Sequence, residues 1–96
     1  MPWVQIQKAS ETDWELYTRV ARVFGDEAPA GLIYHAAGVQ DNGNWQSVSV
    51  WETEDDYDRF RDERLLPAVR EVAGDDIADA GPPPTEWFEA RHVLAR

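Results

Sequence analysis

Ninety-six residues carrying 19 acidic and 9 basic side chains have a formal net charge of -10, which repels phosphate backbones and anionic lipid and argues against nucleic acid or a membrane as partner. No cysteine is present, so a disulfide framework and thiolate metal sites are excluded, and two widely separated histidines make no metal-ligand spacing. The length suits one domain, residues 1–96. Without a basic-then-apolar leader or an apolar run of membrane length, the expected location is cytoplasmic.

Residues 2–8 alternate, with Val4 and Ile6 on one side and Trp3, Gln5 and Gln7 on the other, which predicts a first strand. Ser10-Glu-Thr-Asp13 reads as a capping box opening a helix that runs to Phe24 and stops at Gly25, with Trp14, Tyr17, Val20, Ala21 and Phe24 on one stripe. Residues 26–30 connect it to two alternating runs, 31–38 and 45–52, hinged on Asp41-Asn42-Gly43-Asn44. Asn-Gly between such runs is a strong hairpin signal, because both central residues of a type I′ turn need φ > 0. An even-numbered turn places Tyr34 opposite Trp51 and His35 opposite Val50. A slip of one residue would exchange the faces.

Thr53-Glu-Asp-Asp56 is a second capping box, followed at helical spacing by Tyr57, Phe60, Arg64, Leu65, Val69 and Val72. Pro67 lacks an amide proton, so this helix should kink or restart near Leu66. Gly74 closes it. Residues 74–84, with three consecutive prolines, read as an extended loop, and residues 85–95 as the last strand.

The order β-α-β-β-α-β predicts an α+β, ferredoxin-like fold, one four-stranded antiparallel sheet with two helices on one face. The helix-covered face would hold Val4, Ile6, Ile33, His35, Ala37, Val39, Val48, Val50, Phe88, Ala90, His92 and Leu94. The opposite face would hold Trp3, Tyr34, Trp51 and Trp87 among polar groups. Aromatics mixed with polar residues on an uncovered sheet face predict an interface, here a homodimer with sheets packed face to face.

The chain resembles the dimeric α+β barrel superfamily, and more narrowly small proteins similar to antibiotic-biosynthesis monooxygenases. The resemblance rests on Pro29-Ala-Gly-Leu-Ile-Tyr-His35, on Val48-Ser-Val-Trp-Glu-Thr-Glu54 leading into Tyr57 and Phe60, on Arg64-Leu-Leu-Pro67, and on His92. It implies sheet-to-sheet dimers and a cleft between sheet and helices, used by various members for cofactor-free oxygenation of polyketide-type aromatics, isomerisation, cyclisation or haem degradation. Trp51 matches the tryptophan of the haem-degrading branch. That branch also resembles a pattern with an asparagine in the first strand and a histidine on the second helix. This chain has Gln5 and Gln7 in the strand and no histidine on the helix, so haem lacks an axial ligand and no cofactor is expected.

His35 is the candidate catalytic residue. A histidine lining an apolar cleft can move a proton near neutral pH, as proton removal from a phenol or 1,3-dicarbonyl requires. A core histidine bonded to backbone or tyrosine is the competing reading. His92 is a candidate substrate-binding residue. The second and fourth strands lie at opposite edges, so the two rings could share a site only across a dimer. Trp14, Tyr17, Tyr57 and Phe60 are candidate cleft walls, at a spacing core residues also use. Tyr57 is placed to orient a substrate oxygen or to donate to His35. Ala36, Ala37, Gly38 and Ala90 are small enough to leave room beside it. Asp55, Asp56 and Asp58 read as capping charges rather than a metal site. Three functions fit: a cofactor-independent, monooxygenase-like or isomerase-like enzyme for an apolar aromatic or polyketide-like compound; a non-catalytic binder of such a compound; or a structural dimer.

Overall fold

The computed structural model describes residues 2–9, 13–25, 27–81 and 83–94. Strands β1 (Trp3–Ala9), β2 (Leu32–Val39), β3 (Trp45–Trp51) and β4 (Thr85–Glu89) form one antiparallel sheet in the order β2-β3-β1-β4. Helix α1 (Asp13–Phe24) links β1 to β2. Helices α2 (Glu54–Phe60), α3 (Leu66–Ala73) and α4 (Asp75–Ala80) lie between β3 and β4. This is the predicted ferredoxin-like arrangement, with β2 and β4 at opposite edges.

The local signals behind these elements are largely visible. Helix α1 ends at Gly25, whose φ of +71° a residue with a Cβ would resist. The capping box proposed for its start falls on residues 10–12, outside the described residues. At α2, Thr53 Oγ1 accepts from the Asp56 amide at 3.1 Å and donates to the Asp56 carboxylate at 2.9 Å, a reciprocal cap. The expected break appears as a single π-helical turn, Arg61–Leu65, in which the Leu66 amide bonds to the Arg61 carbonyl. The α-helix restarts at Leu66 with Pro67 in its first turn, where its missing N–H leaves no orphan.

Two predicted boundaries are corrected. The stretch expected as an extended loop contains α4, entered and left through Gly74 and Gly81 at φ of +92° and +84°. Arg70 on α3 bridges Asp75 at 2.9 Å and Asp79 at 3.1 Å, and Ala78 is buried beneath. The last strand stops at Glu89 rather than running to residue 95, because its partner β1 begins at Trp3, opposite Glu89. One more bond follows, from the Ala90 amide to the Pro2 carbonyl at 2.8 Å. His92 and Leu94 are therefore outside the sheet and exposed.

The hairpin register is the main correction. The Gly43 amide donates to the Gln40 carbonyl at 2.9 Å, the Gln40 amide donates to the Asn44 carbonyl at 2.7 Å, and Gly43 has φ of +87°. Among the described residues no non-glycine has positive φ, so Asn42 is not in the conformation a type I′ turn demands. Its side chain instead accepts from the Asn44 amide at 2.9 Å. The result is a three-residue loop, a type I turn closed by a left-handed glycine, and an odd loop shifts the pairing by one: Val39 faces Trp45, and His35 faces Ser49 rather than Val50.

The shift exchanges the faces of β3, and β1 and β4 follow through their pairing. Trp45, Ser47, Ser49 and Trp51 are buried under the helices, while Val48 and Val50 lie on the opposite face with Val4, Ile6 and Phe88. His35 stays on the helix side as expected, and Tyr34 stays on the open side, 59% exposed. A bulge between Leu32 and Tyr34 turns Leu32 to the helix side as well, opposite Trp51. The expected interface aromatics are thus mostly misplaced. Trp51 is only 2% exposed and packs on Tyr57 and Phe60 at ring distances of 5.6 and 5.7 Å. Trp87 packs on Tyr57 at 5.5 Å, and Trp3 shares the face of its partner Trp51. Of the four, Tyr34 alone faces away from the helices.

Candidate functional site

A sheet face bearing Gln5, Gln7, Ser47 and Ser49 cannot pack tightly against the apolar stripes of α1 and α3. Between them lies a cavity of about 480 Å³. Val20 and Phe24 of α1, Leu66 and Val69 of α3 and Ile77 of α4 form its apolar roof. Among the described residues Glu27, on the connector into β2, is the only charged residue lining it, and no lysine or arginine reaches it.

His35 stands at the β2 edge of this cavity. Its Nε2 lies 2.6 Å from the Tyr17 hydroxyl and its Nδ1 2.7 Å from Ser49 Oγ, so both ring nitrogens are held by hydroxyls that also line the cavity. Tyr17 is fixed in turn between Trp14, stacked at 5.0 Å and 7°, and Trp45, tilted at 5.0 Å and 48°. Burial lowers the pKa of His35 below the usual imidazole value and raises that of Tyr17 above the usual phenol value. Near neutral pH the imidazole is uncharged and the phenol protonated. In one arrangement the Tyr17 O–H donates to Nε2 and Nδ1–H donates to Ser49. In the other, Nε2–H donates to Tyr17 and the Ser49 O–H to Nδ1.

Further along the floor, Trp51 Nε1 donates to Gln5 Oε1 at 3.1 Å, and Gln7 Nε2 donates to the Tyr57 hydroxyl and to Thr85 Oγ1, each at 3.3 Å. Burial raises the Tyr57 pKa, and hydrogen bonds from Gln7 and Gln5 partly oppose it. Among the described residues no group of three or more His, Cys, Asp or Glu side chains could hold a metal ion. Asp56 is engaged with Thr53 and Arg59, and Asp58 with Arg61.

Of the residues singled out from the sequence, His35, Tyr17, Tyr57 and Phe60 line the cavity. Trp14 does not; it braces Tyr17 from behind. His92 does not either, being exposed beyond β4 on the sheet edge opposite His35. The hydroxyl beside His35 belongs to Tyr17 rather than Tyr57. Gln5, Ser47, Ser49 and Trp51, which an even-numbered turn would place on the outer face, are part of the wall, as is Trp45. The room comes from the two serines rather than from Ala36, Ala37, Gly38 and Ala90, none of which lines the cavity. The available signal was Trp45-Gln-Ser-Val-Ser-Val-Trp51 itself, whose tryptophans and serines share one face whichever way that face points.

No protein-family model matches the chain, and no curated protein matches it in sequence. Solved structures do match it over almost their whole length. A provisionally named antibiotic biosynthesis monooxygenase from Bordetella bronchiseptica superposes with a TM-score of 0.62 at 20% identity, covering 97% of this chain and 98% of that one. Another so named, from Chloroflexus aurantiacus, gives 0.64 at 12% identity, covering 99% and 98%. SnoaB of Streptomyces nogalater, a cofactor-independent oxygenase, gives 0.59 at 17% identity, again covering 99% and 98%. At these identities the likeness is one of fold: the chain has the fold of the antibiotic biosynthesis monooxygenase structures.

Proposed function

We propose that this chain, built on that fold, is a single-domain, cofactor-independent enzyme that removes a proton from an uncharged, apolar aromatic compound held in the cavity, with His35 as the base. The observation that carries the reading is the Tyr17–His35–Ser49 chain at 2.6 and 2.7 Å on the wall of a cavity of about 480 Å³. An uncharged imidazole is the form that accepts a proton, and burial favours that form. Both nitrogens are bonded to hydroxyls, so the proton travels through one of them. A substrate C–H or O–H proton passes to the Tyr17 or Ser49 oxygen as that hydroxyl's own proton passes to His35, leaving an imidazolium and a substrate enolate or phenolate. Return of the proton to a different carbon completes an isomerisation. With dioxygen as the oxidant, a methylene becomes a carbonyl and the second oxygen atom leaves as water, a step within cofactor-independent oxygenation, the class of reaction SnoaB is named for.

The test is proton exchange. In heavy water, NMR should show the α-protons of a bicyclic aryl ketone such as 2-tetralone exchanging faster with the protein than without it. His35→Gln should remove that acceleration, by about a hundredfold or more. Equal rates with both proteins would leave a binding role only.

The proposal extends to assembly. Val4, Ile6, Val48, Val50, Phe88 and Tyr34 form an apolar face opposite the helices, the last two 51% and 59% exposed. A second copy packed sheet to sheet would bury it. Sedimentation at micromolar concentration should give twice the 11.0 kDa chain mass, and Val50→Glu should reduce it to the monomer. A wild-type monomer would contradict the pairing.

A further inference from the structure

Two voids meet at Phe24. The cavity of about 480 Å³ lies between the sheet and the helices. A groove of about 240 Å³ is lined by Val23 and Phe24 of α1, Arg64 of the π-helical turn, and Pro67, Ala68 and Glu71 of α3. Among the described residues no strand residue borders the groove, so it lies on the outer side of the helix layer. Phe24 alone among them lines both.

The ring itself stands between them. On the cavity side it packs on Phe60, with ring centres 5.3 Å apart and planes at 60°. On the groove side it meets the guanidinium of Arg64, whose central carbon lies 5.6 Å from the ring centre. The same carbon lies 5.8 Å from the centre of Phe60, and Arg64 Nη2 donates to the Glu27 carbonyl at 3.4 Å. Arg64 thus ties the π-helical turn to the connector that follows α1, passing over both rings. Phe24 is the last residue of α1, and Gly25 at φ of +71° turns the chain away, so no further turn of that helix backs the ring. Arg64 does.

We infer that Phe24 is a specificity-determining residue: its ring, held by Arg64, closes the cavity at the groove and limits the site to a compact ring compound without an alkyl tail. This rests on the cavity being the ligand site proposed above. A substituent directed at the end of α1 meets a closed apolar wall. Its tail must displace the ring from Phe60 and Arg64 or remain in water, and each methylene left without apolar contact forgoes about a fourfold gain in affinity. With the ring removed the two volumes join, and Val23, Pro67 and Ala68 offer a tail the apolar contact that the closed cavity denies it.

Equilibrium dialysis with 2-acetylnaphthalene and 2-acetyl-6-butylnaphthalene tests this on the full chain, the readout being the ratio of the two affinities. The wild type should bind the butyl compound within about threefold of the parent. Phe24→Ala should tighten the butyl compound relative to the parent about tenfold or more, the contribution of two methylenes or more. Arg64→Met keeps an unbranched side chain and drops the cation, and should shift the ratio the same way by about two- to fivefold. Val69→Ala enlarges the cavity from α3 at a residue that does not line the groove, and should leave the ratio within about twofold. Far-UV circular dichroism checks that each variant folds, and Arg64→Met decides alone if Phe24→Ala does not. A ratio unchanged in Phe24→Ala and Arg64→Met, an equal rise in Val69→Ala, or a wild type that already gains about tenfold from the butyl chain overturns the assignment while leaving the cavity as a ligand site. A wild type that binds neither compound overturns the cavity reading as well.

Discussion

Replacing Trp51 by Phe separates the two possible faces of β3. Trp51 is 2% exposed, its indole N–H is bonded to the buried Gln5 amide oxygen at 3.1 Å, and its rings meet Tyr57 and Phe60. Phenylalanine keeps part of that packing but removes the hydrogen bond, worth about 1 kcal/mol net, and leaves a buried acceptor unpaired, for a total of about 1–3 kcal/mol. Lost ring volume adds to this, since the surroundings collapse only in part. The assay is urea unfolding followed by circular dichroism, repeated at protein concentrations of about 1 and 100 µM. The loss should be the same at both, because the contacts lie within one chain. Val50→Thr, one residue away on the opposite face, should cost less within the chain, and any loss from a weakened pairing of copies should be larger at the higher concentration and shrink on dilution, where the wild type loses the pairing too. A Trp51→Phe loss below about 0.5 kcal/mol, or one that appears only at the higher concentration, would return Trp51 to the outer face and refute the register.

Two further outcomes follow from the same structure. At the hairpin, Gly43→Ala should destabilise by about 1–2 kcal/mol because Gly43 has φ of +87°, while Asn42→Gly should bring no comparable gain because Asn42 is not in the left-handed region; a marked stabilisation by Asn42→Gly would indicate the type I′ turn instead. The pH dependence carries a definite sign. Burial places the folded-state pKa of His35 below its unfolded value of about 6.5, so between the two the unfolded chain binds more protons. Stability from this group is complete above about pH 6.5 and is lost as pH falls toward the folded pKa. Unfolding of His35→Gln should show a correspondingly flatter profile over that window, and identical profiles would contradict a partly desolvated neutral imidazole.

The fold was legible because its signals are local: the Thr53 cap, the glycine ends at Gly25 and Gly74, and the restart at Pro67 each act within a few residues. The orientation of the sheet was not. It turns on whether Asn42 joins Gly43 at positive φ, a difference of one loop residue that Asn-Gly permits either way. The usual rule that aliphatic residues face the helices then pointed the wrong way. Here Val4, Ile6, Val48 and Val50 face away from them, and the helix side carries glutamines and serines around a cavity. His35 was placed correctly because shifting the pairing by one moves β3 relative to β2 without turning β2 over. Its partners Tyr17 and Ser49 come from α1 and β3, and no spacing along the chain brings them together. Helix α4 was missed because six residues are too few to show a helical period, and its support comes from Arg70 on another helix.

The claim that everything functional depends on is an uncharged His35 held between two hydroxyls at the edge of the cavity. Nitrogen-15 NMR of the imidazole, assigned by comparison with His35→Gln, measures it directly. The expected result is a midpoint below 6.5 and, at neutral pH, one protonated and one unprotonated ring nitrogen, with shifts that change on Tyr17→Phe and on Ser49→Ala. A midpoint above 6.5, or a ring whose shifts ignore both substitutions, would contradict it.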